Sequence, residues 1–338
     1  MKALQIIRYN DWWTYKVAPL MGFALAVLGL QDQSPWNHGF SFVQLIGYIV
    51  LAASYVSIIN DFTDREEDAK AGKRNALVGW SSQKLTLLFV VLFGVLGYAF
   101  YSLISQPLAL VFYVLTLLVY SAYSFPPIRL KNRGIWGLWA DACGANLFIA
   151  LFAVAYLFND SNRAGWICYL EIGFITFIFG IRGIIWHQFH DKKNDEKAGV
   201  QTAAVMLKEA PVRRATSLLF ILELIGVLVL LCQLNTMTLW IGTIYYGSLL
   251  AYRHYFLKQE MVIAISQQED YHLIGSDWYE WVVPFCLLFG ASLQDPDNLL
   301  LLMLFLFLFP RKGLQLTRET ADVFIRWYNY LITPKHMR

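Results

Sequence analysis

Asn60-Asp61-Phe62-Thr63-Asp64-Arg65-Glu66-Glu67-Asp68 closes an apolar run, Phe40 to Ile59, that is long enough to cross a bilayer. On a helix, Asp61, Asp64 and Asp68 stand at i, i+3 and i+7 and share one face. Carboxylates crowded at the end of a membrane helix repel one another and are costly to desolvate, so the pattern makes sense with a cation among them. Clustered carboxylate oxygens suit Mg²⁺, which is commonly held by one or two carboxylates plus phosphate oxygens of a substrate. A similar arrangement follows the apolar run Ile172 to Ile185, where Asp191 and Asp195 are spaced i, i+4. Two facing acidic clusters suit the clamping of one magnesium diphosphate.

Three stretches extend this chemistry. Lys70-Ala71-Gly72-Lys73-Arg74-Asn75 places basic residues a turn or two beyond the first acidic face, in position to meet phosphate oxygens. An ordinary solvated helix end is the plainer reading, but the spacing of the polar groups, the basic follow-on and the second cluster jointly oppose it. In His187-Gln188-Phe189-His190-Asp191-Lys192-Lys193-Asn194-Asp195, the residues His187, Asp191, Asn194 and Asp195 share a helical face, and Gly199 and Thr202 follow. Two histidines beside an aspartate raise zinc, but no HExxH pattern exists, and His187 reads better as a residue that orients Asp191. In Tyr120-Ser121-Ala122-Tyr123-Ser124-Phe125-Pro126-Pro127-Ile128-Arg129-Leu130-Lys131, the prolines end a helix. Alone this is a helix stop with basic anchors; beside two acidic motifs Lys131 becomes a diphosphate ligand. Asp141, Glu171, Arg182 and Glu223 lie inside apolar segments, where ionisable groups face a cavity or a partner. Arg182, about two turns before Asp191, reads as a pocket residue, whereas Asp141 and Glu171 pair equally well within the bundle.

The elements that position these residues are membrane helices. Of the 338 residues, 57% are hydrophobic and only 15% charged, against about a quarter charged in a soluble domain. The mean hydropathy is +0.47. Apolar segments fall at about 17–30, 40–59, 85–105, 108–124, 135–158, 166–186, 216–232, 237–252, 279–293 and 298–310. The chain reads as an all-α, polytopic membrane bundle of nine to ten transmembrane helices. Two four-helix pseudo-repeats, segments 1–4 and 5–8, surround a central cavity, and an acidic motif ends the second helix of each. Of 27 Lys and Arg residues, 25 fall on one set of helix ends; Arg182 lies within a segment and Arg163 on the other side. The positive-inside rule then places both termini and both acidic motifs in the cytoplasm. The basic residues anchor spans, so the partner they imply is a bilayer and not a nucleic acid. Cys143, Cys168, Cys232 and Cys286 lie in apolar segments without metal spacing. Met1 to Trp13 has no apolar core and is not expected to be a cleavable signal peptide. Residues 1–310 form the expected transmembrane domain and 311–338 a cytoplasmic tail. In the tail, Val323, Phe324, Trp327 and Leu331 recur at helical spacing and predict an interfacial helix. Lys258 to Asp277 is expected to form an amphipathic surface helix.

Three elements in order resemble the UbiA superfamily of intramembrane prenyltransferases, and in particular its 4-hydroxybenzoate polyprenyltransferase-like members. These are Asn60-Asp61-x-x-Asp64-x-x-x-Asp68, the Tyr-Ser-x-Pro-Pro-x-Arg-Leu-Lys run ending at Lys131, and Asp191-x-x-x-Asp195 followed by Ala198-Gly199-x-x-Thr202. The resemblance covers roughly residues 5–293. It implies transfer of a prenyl group from an isoprenyl diphosphate to a hydrophobic or aromatic acceptor, through an allylic carbocation-like centre, with Mg²⁺ neutralising the departing diphosphate. By this resemblance Asp64, Asp68, Asp191 and Asp195 are the catalytic acids. Together with Asn60 they hold the metals, Asp61 assists, and Lys73, Lys131 and Arg74 hold phosphate. Tyr123 is a candidate for cation–π stabilisation, and Arg8, Lys16 and Pro19 are carried over as first-helix pocket residues. The chain departs from the family pattern at Asn194, where quinone-type members often have Gly, and in its tenth segment and tail. Two other readings compete. A terpene cyclase of the same family would ionise the same diphosphate and attack it with a double bond of its own chain. A transporter would line a pathway with its acids, but these acids sit at the membrane surface rather than the midplane.

Overall fold

The computed structural model describes residues 2–158, 165–266 and 268–332. Arg163 and the last six residues of the tail lie outside the described residues. The first helix, α1 (Tyr9–Leu30), contains a widened π turn, Trp13–Val17. Every residue from Ala18 to Leu28 is buried. A helix that is apolar all round belongs in the middle of a bundle, and α1 packs on the helices α5 (Ile135–Leu157) and α9 (278–294).

The second helix, α2 (Gly39–Ala71), carries the first acidic motif, and α6 (Trp166–Ala198) carries the second. Each runs for 33 residues and ends at a glycine in the left-handed conformation, Gly72 at φ 66° and Gly199 at φ 69°. Beyond each glycine the chain turns back: Lys73 N donates to the Asp68 carbonyl at 2.9 Å, and Val200 N to the Asp195 carbonyl at 3.0 Å. Such a turn needs a residue that tolerates positive φ. The two acidic helices are therefore matched in length, terminus and the position of their last aspartate, as two equivalent repeats require. Between them stand α3 (Ser82–Leu103) and α4 (Pro107–Ser124); after α6 come α7 (Glu209–Leu234) and α8 (Met237–Tyr255).

The ten apolar segments all form helices, but not all are equal. Seven helices among the described residues are long and apolar enough to cross a membrane, or eight if α10 (Asn298–Leu308) and α11 (Pro310–Ile332) count as one bent span. The tyrosines, Arg253 and His254 of α8 dilute its apolar content, and α9 is short. These helices complete the bundle of an integral, multi-pass membrane protein without being long and apolar enough to span it individually. The chain turns by 88° between α10 and α11.

The segment from Lys258 to Asp277 is not a surface helix. It forms two short parallel strands, β1 (Glu260–Val262) and β2 (Tyr271–Leu273), with Glu260 opposite Tyr271 and Val262 opposite Leu273. Arg182 holds this segment from the bundle side. Its Nη1 donates to the Ile263 carbonyl at 2.7 Å and its Nη2 to the Ile274 carbonyl at 3.1 Å. Ile274 N donates to the Val262 carbonyl at 2.9 Å, so the segment's backbone groups pair between the two strands rather than in a helix ladder. Val262, Ala264 and Ile265 face inward from this segment.

Candidate active site

The C-terminal turns of α2 and α6 open on one cavity of about 680 Å³. From α2 it is lined by Asn60, Asp64 and Asp68, and from α6 by His187, Asp191 and Asp195. Each set is an i, i+4, i+8 row, one stripe along a helix. The sequence spacing suggested a face that included Asp61; the structure selects Asn60 in its place. Asp61 is fully buried beside the row, ion-paired to Arg8 and accepting the Ala76 backbone N–H at 3.1 Å. It joins the N-terminal segment to the loop after α2 and does not line the cavity, although Arg8 does.

The loop between α4 and α5 supplies the two cations that meet Asp64. Lys131 Nζ donates to Asp64 Oδ2 at 2.6 Å and to Asn60 Oδ1 at 3.2 Å. Arg129 Nη2 reaches Asp64 Oδ1 at 2.9 Å, while its Nη1 and Nη2 grip the two Glu67 oxygens at 2.7 and 2.8 Å. Two cations thus converge on the middle aspartate of the first row. Burial pushes the Lys131 ammonium below its ordinary value, against the pull of Asp64. The Glu67 carboxylate holds Arg129 above its own. Asn75 closes the row by donating from Nδ2 to Asp68 Oδ2 at 2.9 Å and to the Asp61 carbonyl at 2.8 Å. The second row is more open: His187 Nε2 lies 3.6 Å from Asp191 Oδ2. The loop bearing Lys131 is tied to the segment after the second row, because Gly134 N donates to the Gln201 carbonyl at 3.0 Å.

Lys73 and Tyr123 line the cavity; Arg74 and Asn194 are exposed outside its lining. Lys16 lies just below, donating from Nζ to Asn146 Oδ1 at 3.3 Å. Arg182, read from the sequence as a pocket residue, is elsewhere. It is fully buried, with Nε and Nη2 on the Glu223 carboxylate at 2.6 and 2.8 Å, and Tyr279 donates to the same carboxylate at 2.9 Å. Its position two turns before Asp191 misled, because two turns also carry a side chain along the helix to another neighbour. Glu223 is the partner that draws it away. His190 pairs with the Tyr271 hydroxyl at 3.1 Å rather than with a metal-type cluster. Sequence reasoning passed over Arg129, Glu67 and Asn75. Arg129 stood inside the proline-bounded run, but its left-handed backbone at φ 38°, which aims it at α2, left no mark in the pattern.

The donor set is all oxygen on the aspartates, as a hard cation requires. Among the described residues no three His, Cys, Asp or Glu side chains stand close enough to hold a metal alone. Mg²⁺ takes one or two protein carboxylates and fills its remaining positions with phosphate and water. A larger, mostly apolar groove of about 940 Å³ lies between α8, α9 and α11 and shares none of these groups.

The fold and this cavity define a multi-pass membrane protein with a cavity lined by two rows of acids and by basic residues. The UbiA prenyltransferase family model matches residues 17–262, and the chain belongs to that family. In fold it is similar to a UbiA homolog from Archaeoglobus fulgidus bound to Cd2+, at 14% identity, with 86% of this chain and 98% of that chain covered and a TM-score of 0.54. A structure of a UbiA homolog from the same organism bound to GPP and Mg2+ aligns at 17% identity over 90% of this chain and 100% of that one, with a TM-score of 0.48. No curated protein matches the chain in sequence.

Proposed function

We propose that this protein transfers a prenyl group from an isoprenyl diphosphate to a lipophilic or aromatic acceptor inside the membrane, with Mg²⁺ as cofactor. The observation that carries the reading is the pair of i, i+4, i+8 rows, Asn60/Asp64/Asp68 and His187/Asp191/Asp195, on one cavity with Lys73 and Lys131. When bound, Mg²⁺ neutralises the diphosphate so that it can depart. Asp64, Asp68, Asp191 and Asp195 with Asn60 would hold the magnesium ions, one or two carboxylates to each. Lys131 is held in reserve on Asp64; diphosphate oxygens entering the cavity take over its donors, as do those of Lys73. Burial strengthens that exchange, since charges interact more strongly away from water. Tyr123 faces the developing allylic cation with its ring.

Both rows, the N-terminal segment with Arg8 and the basic loop lie at one end of the bundle, which we assign to the cytoplasm from the basic residues there. The tail helix α11 runs along that surface as an interfacial helix, and residues 311–338 act as an appendage to the transmembrane domain. It is anchored by Lys312 on Asp277 at 2.6 Å and on Glu280 at 2.9 Å, and by Arg253 on Glu319 at 2.7 Å. Exposed Phe324, Ile325 and Tyr328 give it an apolar side for lipid. The side chains of Trp327 and Leu331, part of the face expected from sequence, lie outside the described ones.

The test is turnover of purified protein with Mg²⁺ and a panel of isoprenyl diphosphates, with and without membrane-lipid extract, read by mass spectrometry. A prenylated acceptor formed only with extract supports the transferase. A hydrocarbon formed without extract reassigns the protein as a cyclase. No diphosphate release under any condition overturns both.

A further inference from the structure

Asp141 belongs to neither acidic row, yet it lines the same cavity. It stands on α5, within a membrane-spanning helix, where a carboxyl group is costly and needs a purpose. Its hydrogen-bond partner is a neutral hydroxyl: Tyr120 Oη donates to Asp141 Oδ1 at 3.3 Å. Asp64, by contrast, is held by two cations. The rings of Tyr120 and Tyr123, 6.0 Å apart and edge to face, line the cavity beside it. The charged and titratable groups acting on its carboxylate are Lys16 and His187. Lys16 is steadied by Asn146, and each of the two sits in a π turn, Trp13–Val17 on α1 and Cys143–Phe148 on α5. Such turns recur at functional sites because they aim side chains that a regular helix would not.

The proposed reaction leaves a proton to be placed. The bond from the allylic carbon to the diphosphate oxygen breaks, and the electron pair leaves with the diphosphate. A new bond forms between that carbon and the acceptor. The acceptor then loses a C–H or O–H proton, whose bonding electrons remain on the acceptor. Carboxylates that hold a divalent cation are poor proton acceptors, and a diphosphate held by the same cation is weakened in the same way; His187, also on the cavity, lies 3.6 Å from Asp191 and orients it, which leaves Asp141. We infer that Asp141 is the base that takes this proton. This rests on the prenyl-transfer reading above. The carboxylate sits among the aromatic rings that face the cation, and Tyr120 fixes its orientation. Uptake of the proton leaves a neutral carboxylic acid, which returns the proton to water or to the departing diphosphate as the product leaves.

The experiment uses the full chain in lipid vesicles with geranyl diphosphate, Mg²⁺ and a set of phenol and hydroquinone acceptors. It measures the ratio of proton-loss products (prenylated acceptor or hydrocarbon) to geranyl alcohol, the product of water capture. In Asp141→Asn, which keeps the shape and an acceptor for Tyr120, this ratio falls by about 10²-fold, the lower range for removal of a general base. Asp141→Glu restores part of it, and a ring-deuterated acceptor shows a larger isotope effect in Asp141→Asn than in wild type. Tyr120→Phe moves the ratio in the same direction by less, and gives an independent readout if the Asn variant does not fold. A wild-type ratio in Asp141→Asn and in Tyr120→Phe overturns the inference. So does wild-type protein that releases diphosphate but forms only alcohol. Wild-type protein that releases no diphosphate overturns instead the transferase reading beneath it.

Discussion

Replacing Lys131 by methionine should move metal binding and turnover in opposite directions. In the free protein Lys131 Nζ lies 2.6 Å from Asp64 Oδ2, and Arg129 adds a second positive charge at 2.9 Å. Any cation that approaches Asp64 must work against both. Two unit charges about 4 Å apart interact by about 1 kcal/mol in water and about 4 kcal/mol at a protein surface. The site is partly open, so the removal of one cation should favour metal binding without substrate by about 1–2 kcal/mol, or about 5- to 30-fold. With diphosphate present the sign reverses, because the same ammonium is needed on the developing negative charge. Loss of one such donor costs about 10²–10³-fold in turnover. Methionine keeps the length and apolar packing of the stem, so the comparison isolates the charge. Calorimetric titration with Mg²⁺ or Mn²⁺ measures the first effect, and kcat with a saturating isoprenyl diphosphate the second. A variant with weaker metal binding and unchanged kcat would refute the argument that Lys131 guards Asp64 until the diphosphate arrives.

Other consequences follow from the same geometry. Asp64→Ala and Asp191→Ala should each abolish diphosphate release while the thermal transition persists; full activity in either would remove the clamp from the mechanism. Arg182→Met leaves the Glu223 carboxylate buried without its partner, and should lower stability by about 3–5 kcal/mol. It should leave diphosphate affinity unchanged, because Arg182 lies outside the cavity; thermal unfolding and a binding isotherm check the two halves. His272 gives a pH dependence. Burial, with the Arg253 and Lys312 charges, pushes its imidazole down to about 4. Arg253 Nη1 donates to its Nε2 at 2.9 Å, which requires a free lone pair there. The folded protein therefore keeps His272 neutral where the unfolded chain, with an ordinary value near 6.5, takes up a proton. The associated stability is fully present above about pH 6.5 and is lost as pH falls from there towards 4, up to about 3 kcal/mol. Melting temperatures between pH 7.5 and 4.5 should fall more steeply in wild type than in His272→Gln.

Much of the fold was legible because a bilayer is a simple solvent. It demands about 20 apolar residues per span, and the long runs meet that demand by composition alone. The acidic motifs were legible because the period of a helix places residues four apart on one stripe whatever surrounds it. The left-handed conformation of Gly72 and Gly199, which ends both acidic helices, was not read from the motifs that contain them. Nor was the Lys258 to Asp277 segment legible. Its polar composition suits a surface helix, but its two strands pair with each other and their flanking carbonyls accept from the buried Arg182 guanidinium, 80 or more residues away in the chain.

The amino-acid sequence by itself determined that the chain is a multi-pass helical membrane protein with two acid-bearing helix ends, since apolar length and helical period are local properties. Tertiary structure alone decided which polar groups meet. It placed Arg129 and Lys131 on Asp64, Arg8 on Asp61, and Arg182 on Glu223. It also brought Asp141 into the cavity with the two acid rows. The physical reason is that an ion pair depends on where two side chains end, and that position is set by helix rotation and packing across dozens of residues, which no local pattern encodes.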